Sequence, residues 1–223
     1  MSDLYTLVIG SALNSHLPSI SLESIYAANG AAELALKYKH EQNVDTTAVI
    51  GQGQWRKMDV IKRVESLIPK RIILRTRCDD MSVFSQSLRS EAVVDQLDRN
   101  GFELQKKVFG LWPLIYCEIF RLFTLNPFIL KSELGRLKKY EIPTGFSTGM
   151  FSVLLALIER PKNTVIIAGI TMSGGMHFYE SGGMSRKRAL ADRVLFERLP
   201  EDFKRRLVTT DSSLSVLCGI PKF

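Results

Sequence analysis

A chain of 223 residues, 45% hydrophobic and 24% charged, is long enough for one sizeable core and too ordinary in composition to be disordered. Its 30 Lys and Arg against 23 Asp and Glu leave a formal charge of +7, which points to an anionic partner: nucleic acid, anionic lipid or a phosphorylated small molecule. Three widely spaced cysteines, Cys78, Cys117 and Cys218, with no CxxC pair, argue against a disulfide framework or a zinc site and predict reduced thiols.

In chain order, Tyr5–Ile9 is a short apolar run ending at Gly10 and predicts a buried parallel strand. No basic, apolar leader precedes it, so the expectation is a cytoplasmic protein. Residues 10–19 read as a polar turn, and Ser21–Ser24 introduces a further element. Gly30–Lys39 has helix-forming composition, and Thr46–Ile50 predicts a second strand ending in Gly51. Asp59–Ile68 is amphipathic, with Val60, Ile61, Val64, Leu67 and Ile68 on one face and Pro69 as its stop. Arg71–Arg75 reads as a strand and Asp80–Asn100 as helix, with the Asp79-Asp80 pair as its N-cap. Further on come a helix over Phe151–Ile158, a strand over Thr164–Gly169, and a basic helix over Ser185–Leu199 ended by Pro200. Val208–Thr210 and Leu214–Cys218 read as terminal strand pieces. Strands alternating with helices at this spacing predict a single Rossmann-like three-layer α/β/α domain over residues 1–223 with a mainly parallel sheet.

Residues 108–139 form an apolar and basic helical insertion in this reading. Phe109, Leu111, Trp112, Leu114, Ile115, Tyr116, Ile119 and Phe120 lead it, Pro113, Glu118 and Arg121 interrupt it, and Lys131, Arg136, Lys138 and Lys139 follow. That pattern spans a membrane poorly. It fits either a buried core helix or a face resting on a membrane or acceptor.

Two stretches carry chemistry. Thr144-Gly-Phe-Ser-Thr-Gly149 places hydroxyls and free backbone N–H groups at a helix start, where anions bind. His177-Phe-Tyr-Glu180 lies past the carboxyl end of a strand, the crevice open α/β sheets use, between glycine pairs at Gly174-Gly175 and Gly182-Gly183 that suit a closing loop. Gly51-Gln-Gly53 lacks the third glycine of a dinucleotide fingerprint, Arg56 standing there, and reads as a tight turn. No P-loop and no HExxH is present.

Together these pieces resemble the sialyltransferase superfamily, the CMP-sugar-dependent transferases of sialic, nonulosonic and Kdo sugars. The likeness rests on Val8–Asn14 followed by Ala28-Asn29-Gly30, on Ser147-Thr148-Gly149 with its helix and the strand Val165–Gly169, and on His177-Phe178-Tyr179-Glu180, similar to a His-Tyr-Tyr-Glu motif. The resemblance implies a GT-A-variant fold with an asparagine one helix after the first strand. It also implies nucleotide or carboxylate contacts at Gly10, Ser11, Asn14, Asn29, Ser147, Thr148 and Gly149, and catalytic roles for His177, Tyr179 and Glu180. A CMP-ulosonate carries two anionic groups, which suits helix N-termini and hydroxyls. The implied activity is metal-independent transfer of a nonulosonic acid from CMP to a hydroxyl of a cell-surface glycan or lipid-linked oligosaccharide, with no cofactor and no nucleic acid, at the inner membrane face with peripheral membrane contact. Kdo transfer is the near alternative. The chain departs from the pattern at Arg188-Ala-Leu-Ala-Asp192, where the family's general-base histidine is replaced by Arg188, which cannot deprotonate a hydroxyl near neutral pH. That gap keeps open an inactive, basic nucleotide- or nucleic-acid-binding protein; a dinucleotide-dependent oxidoreductase is a more distant alternative.

Overall fold

The computed structural model describes residues 4–12, 16–97, 101–116, 145–172, 175–176, 183–184 and 186–223. Strands β1 (Tyr5–Ile9), β2 (Ser24–Ala28), β3 (Asp45–Ile50), β4 (Arg71–Leu74), β5 (Val93–Gln96), β6 (Thr164–Ala168) and β9 (Leu207–Thr209) form one seven-stranded sheet in the order β5-β4-β3-β2-β1-β6-β9. Every adjacent pair in it is parallel. A separate antiparallel pair joins β7 (Gly175–Met176) to β8 (Gly183–Met184).

Because side chains alternate across a strand, the sheet builds two cores. Leu7, Ile9, Ile25, Ala27, Ala48, Ile50, Ile72 and Leu74 point to one face, covered by helices α1 (Ala32–Gln42) and α2 (Met58–Leu67). Val8, Tyr26, Val49, Ile73, Val165 and Ile167 point to the other, beneath α5 (Thr148–Glu159). With both faces covered, the buried stretches of the strands are apolar, as Leu7–Ile9 of β1, Ala48–Ile50 of β3 and Val165–Ala168 of β6 are. The result is the three-layer, Rossmann-like α/β architecture that strand–helix alternation predicts. The helix α5 is buried over Met150–Leu157 and crosses β1, β2, β3 and β6. Its C-terminal carbonyls are held by Arg206, which donates to Leu157 O at 2.7 Å and Arg160 O at 2.9 Å, a cation where the helix dipole favours one.

Four local expectations are corrected. The predicted helix over Asp80–Asn100 breaks into a 3-10 turn at Met81–Val83, α3 (Gln86–Glu91) and strand β5. Pairing of Val93 and Val94 with β4 outweighs the surrounding helix formers, while Asp80 still caps, accepting from Ser82 N at 2.9 Å. Leu214–Cys218 is helical, within a C-terminal helix over Ser212–Cys218, because Asp211 caps its start and Gly219 ends it at φ 66°. Ile68 is not on the buried face of α2; it takes φ 47° past the last turn and is exposed. Asn29 follows a second strand, β2, with no helix between β1 and β2 among the described residues. Residues 117–139 of the insertion lie outside the described residues.

The face beneath α1 also anchors the β1–β2 connection. The Tyr38 hydroxyl on α1 donates to Pro18 O at 2.5 Å and is buried. Burial, reinforced by the charge of Glu41, pushes its pKa up to about 12 from the ordinary 10. A phenol raised in the folded state stabilises it fully below pH ~10, and that contribution is lost as pH rises from there through about 12. Stability to urea is therefore expected to fall across this window, in step with a late tyrosinate absorbance change that Tyr38→Phe diminishes by one tyrosine, while Tyr26, buried against Glu159 and raised further, titrates later still. A late absorbance change as large in Tyr38→Phe as in the wild type contradicts the assignment.

Candidate functional site

The strand order reverses between β1 and β6: β1 leads toward β2 on one side, and β6 toward β9 on the other. At such a switch point the loops after the carboxyl ends diverge and leave a crevice. Here the walls are backbone. Gly10 N donates to Ala168 O at 2.8 Å and Ala12 N to Gly169 O at 2.9 Å, tying the two strand ends together. A Cβ on Gly10 would lie 2.2 Å from Gly169 O, so only glycine allows this approach.

The next strand ends are joined by a side chain. Asn29 leaves β2 in the left-handed region at φ 51°, where asparagine is tolerated, and its Oδ1 accepts from Gly51 N at 2.8 Å. Opposite, Thr148 Oγ1 lies 2.3 Å from where a Gly51 Cβ would stand, and Asn29 Oδ1 lies 3.4 Å from the same point. Gly149 abuts Ile170 in the same way, its Cβ position 3.3 Å from Cγ1. A continuous row therefore runs from Gly10 through Gly169-Ile170 and Gly149-Thr148 to Gly51 and Asn29. Ser11, buried, follows Gly10.

The N-terminus of α5 closes this row. Ser147 is its N-cap, with Oγ accepting from Met150 N at 3.4 Å. First-turn residues have no intrahelical acceptor, which leaves the Thr148 and Gly149 N–H groups for another partner. Two buried side chains hold the preceding turn. Gln105 of α4 (Phe102–Phe109) accepts from Phe146 N at 2.8 Å, and Asp192 of α6 (Arg186–Glu197) accepts from Ser147 N at 2.7 Å. Asp192 has no exposure, and its carboxyl group sits beside the positive end of the α5 dipole. Arg75, also fully buried just after β4, places its guanidinium 4.3 Å over the Phe151 ring in the first turns of α5.

Of the residues singled out from sequence, Gly10, Ser11, Asn29, Ser147, Thr148 and Gly149 thus lie along one edge of the sheet. Asn14, His177, Tyr179 and Glu180 lie outside the described residues; in sequence His177 directly follows β7. His16 and His40 are exposed, the latter in the last turn of α1. The turn reading of Gly51-Gln-Gly53 holds, since Gln54 N donates to Gly51 O at 3.1 Å and Gly53 has φ 71°. Among the described residues no three His, Cys, Asp or Glu side chains lie close enough to hold a metal. Asp192, Gln105 and Arg75 were not singled out. Asp192 falls three residues after buried Ala189 and three before buried Leu195, so its place on the inward stripe was a readable signal.

No protein-family model, no curated protein and no solved structure matches this chain.

Proposed function

We propose that this protein binds a nucleotide sugar along the carboxyl edge of its sheet and that it is a sialyltransferase-like CMP-sugar transferase. The observation that carries this reading is the convergence, at the β1/β6 switch point, of segments far apart in sequence. Gly10, Asn29 and the Ser147–Gly149 helix start, each named by the resemblance, lie in one row, joined by the Asn29–Gly51 hydrogen bond and by packing of Thr148 on Gly51. A row of glycines beside first-turn N–H groups that have no acceptor within their helix suits a phosphate and a carboxylate, because backbone donors approach closely only where Cβ atoms are missing.

The chemistry is displacement at the anomeric carbon. The acceptor hydroxyl oxygen forms the new bond, the bond to the phosphate oxygen breaks, and CMP leaves with the electron pair. The hydroxyl proton passes to His177 or Glu180, Arg188 being unable to take it, and Tyr179 donates to the leaving phosphate. Pseudaminic- or sialic-type donors are preferred in this reading, with CMP-Kdo as the alternative.

Thermal shift with CMP tests the binding half. At a CMP concentration about a hundred times Kd, binding stabilises by about 2.7 kcal/mol, roughly 5–10 °C for a chain of this size. Asn29→Ala is expected to abolish that shift. Turnover is tested by CMP release from CMP-sialic, CMP-pseudaminic and CMP-Kdo donors with acceptor glycans. No CMP-induced shift in the wild type, together with no CMP release from any donor, would sink the proposal.

A further inference from the structure

Beyond the α4 helix, residues 111–116 form a further helical turn with two unlike sides. Leu114 is fully buried beside Phe109 and Phe146 in the core beneath α5. Leu111 and Trp112, four residues before Ile115 and Tyr116 respectively, make a contiguous outer face by helical spacing. That face is open: Trp112 is 77% exposed, Tyr116 53% and Leu111 42%, with Ile115 half-buried. An indole at that exposure is far outside what solvation of a monomer favours, and it stands in a cluster rather than singly.

One cation stands against the cluster and another precedes it closely in the chain. Arg198, in the turn after α6, places its guanidinium 5.6 Å from the centre of the Tyr116 ring. Lys107 is exposed in the last turn of α4, and among the described residues it has no acidic partner, unlike Lys106, which pairs with Glu103 at 3.3 Å. The whole chain carries +7.

We infer that the face formed by Leu111, Trp112, Ile115 and Tyr116, with Arg198 against it and Lys107 four residues before it in the chain, docks on the surface of an anionic lipid bilayer. Indole and phenol rings on aliphatic neighbours suit the headgroup boundary, where one end of each ring is apolar and the other wet. Cations beside them meet the negative surface potential. Among the described residues no helix is long and apolar enough to cross a membrane, and the docking described is lateral. A second copy of the chain is the less favoured occupant, since a two-fold contact through this face would set Lys107 and Arg198 of one copy near their equivalents. The inference stands apart from the CMP-sugar reading and does not need it.

The chain contains two tryptophans, the buried Trp55 and the exposed Trp112, so the full-length Trp55→Phe variant makes Trp112 its own reporter. With vesicles containing phosphatidylglycerol, its emission is expected to shift to the blue and to be quenched by brominated lipid. Pure phosphatidylcholine vesicles should give a weak response. Trp112→Ala is expected to weaken co-sedimentation with phosphatidylglycerol vesicles on the order of tenfold, from the lost apolar area. The double variant Lys107→Gln/Arg198→Gln should lose the preference for the anionic lipid, as should wild type at high salt. If Trp55→Phe does not fold, the wild-type spectrum minus that of Trp112→Phe reports the same side chain. Failure to sediment with anionic vesicles, or sedimentation with Trp112 emission unchanged, overturns the inference. A blue shift that grows with protein concentration without lipid, alongside a doubling of mass, assigns the face to a second copy instead.

Discussion

Gly10→Ala is expected to be among the most damaging single substitutions in this chain, costing about 3 kcal/mol of stability and abolishing any ligand affinity of the carboxyl edge. The cause is space rather than backbone conformation. A Cβ there would stand 2.2 Å from Gly169 O and 2.8 Å from Gly169 C, both main-chain atoms, as well as 2.5 Å from Ile170 Cγ1. The backbone atoms can yield only if β1 and β6 part, and doing so breaks the bonds from Gly10 N to Ala168 O and from Ala12 N to Gly169 O. Gly53→Ala provides the contrast. It has nothing within 4 Å of its Cβ position but a φ of 71°, so only left-handed strain applies and the expected cost is about 1 kcal/mol. Urea unfolding of both variants, read as midpoints at unchanged slope, checks the ranking. Equal midpoints would mean that the sheet opens at this point far more easily than its hydrogen bonds indicate.

The same distinction explains which elements are legible in the amino-acid sequence. Strands β1, β3 and β6 are legible because their buried runs, Leu7–Ile9, Ala48–Ile50 and Val165–Ala168, are apolar, and each ends in a glycine at the carboxyl edge of the sheet. Strand β2, Ser24-Ile-Tyr-Ala-Ala28, is buried throughout yet carries two alanines and a tyrosine that fit a helix as well, so its state is decided by pairing with β1 and β3. Strand β5 is hidden for the same reason, as it rests on register with β4. At the site, Gly10, Asn29 and Gly149 show in sequence through the motifs of the family resemblance, although the contacts the glycines make, Gly10 with Gly169 and Gly51 with Thr148, join distant segments. The partners of Gln105 and Asp192 do not show, because each is a backbone N–H 41 or 45 residues away. Long-range satisfaction of a buried N–H leaves no mark in a window of sequence.

Asp192→Ala is the complementary test, aimed at the side chain that secures the start of α5. It would leave Ser147 N, buried and donating at 2.7 Å, with no acceptor from that position, and would remove a carboxylate from the positive end of the helix. An orphaned buried donor costs about 1–3 kcal/mol and a helix-terminal charge up to about 2, so a total near 3 kcal/mol is expected. Asp192→Asn separates the two contributions, since its amide oxygen still accepts from Ser147 N while the charge is gone. A loss of about 1 kcal/mol for asparagine and about 3 for alanine would place most of the effect in the hydrogen bond. Equal losses would place it in the charge. On the proposed function the two variants also part in binding. Where alanine frees Ser147 and the Thr148–Gly149 N–H groups lose their alignment, the CMP dissociation constant should rise about tenfold, the equivalent of ~1.4 kcal/mol. Asparagine keeps the alignment and removes a negative charge beside an anion site, so its affinity should match or exceed that of the wild type. Calorimetric titration of CMP into both folded variants decides the point. Alanine binding CMP as the wild type does would show that Asp192 serves the stability of α5 and not the shape of its N-terminus.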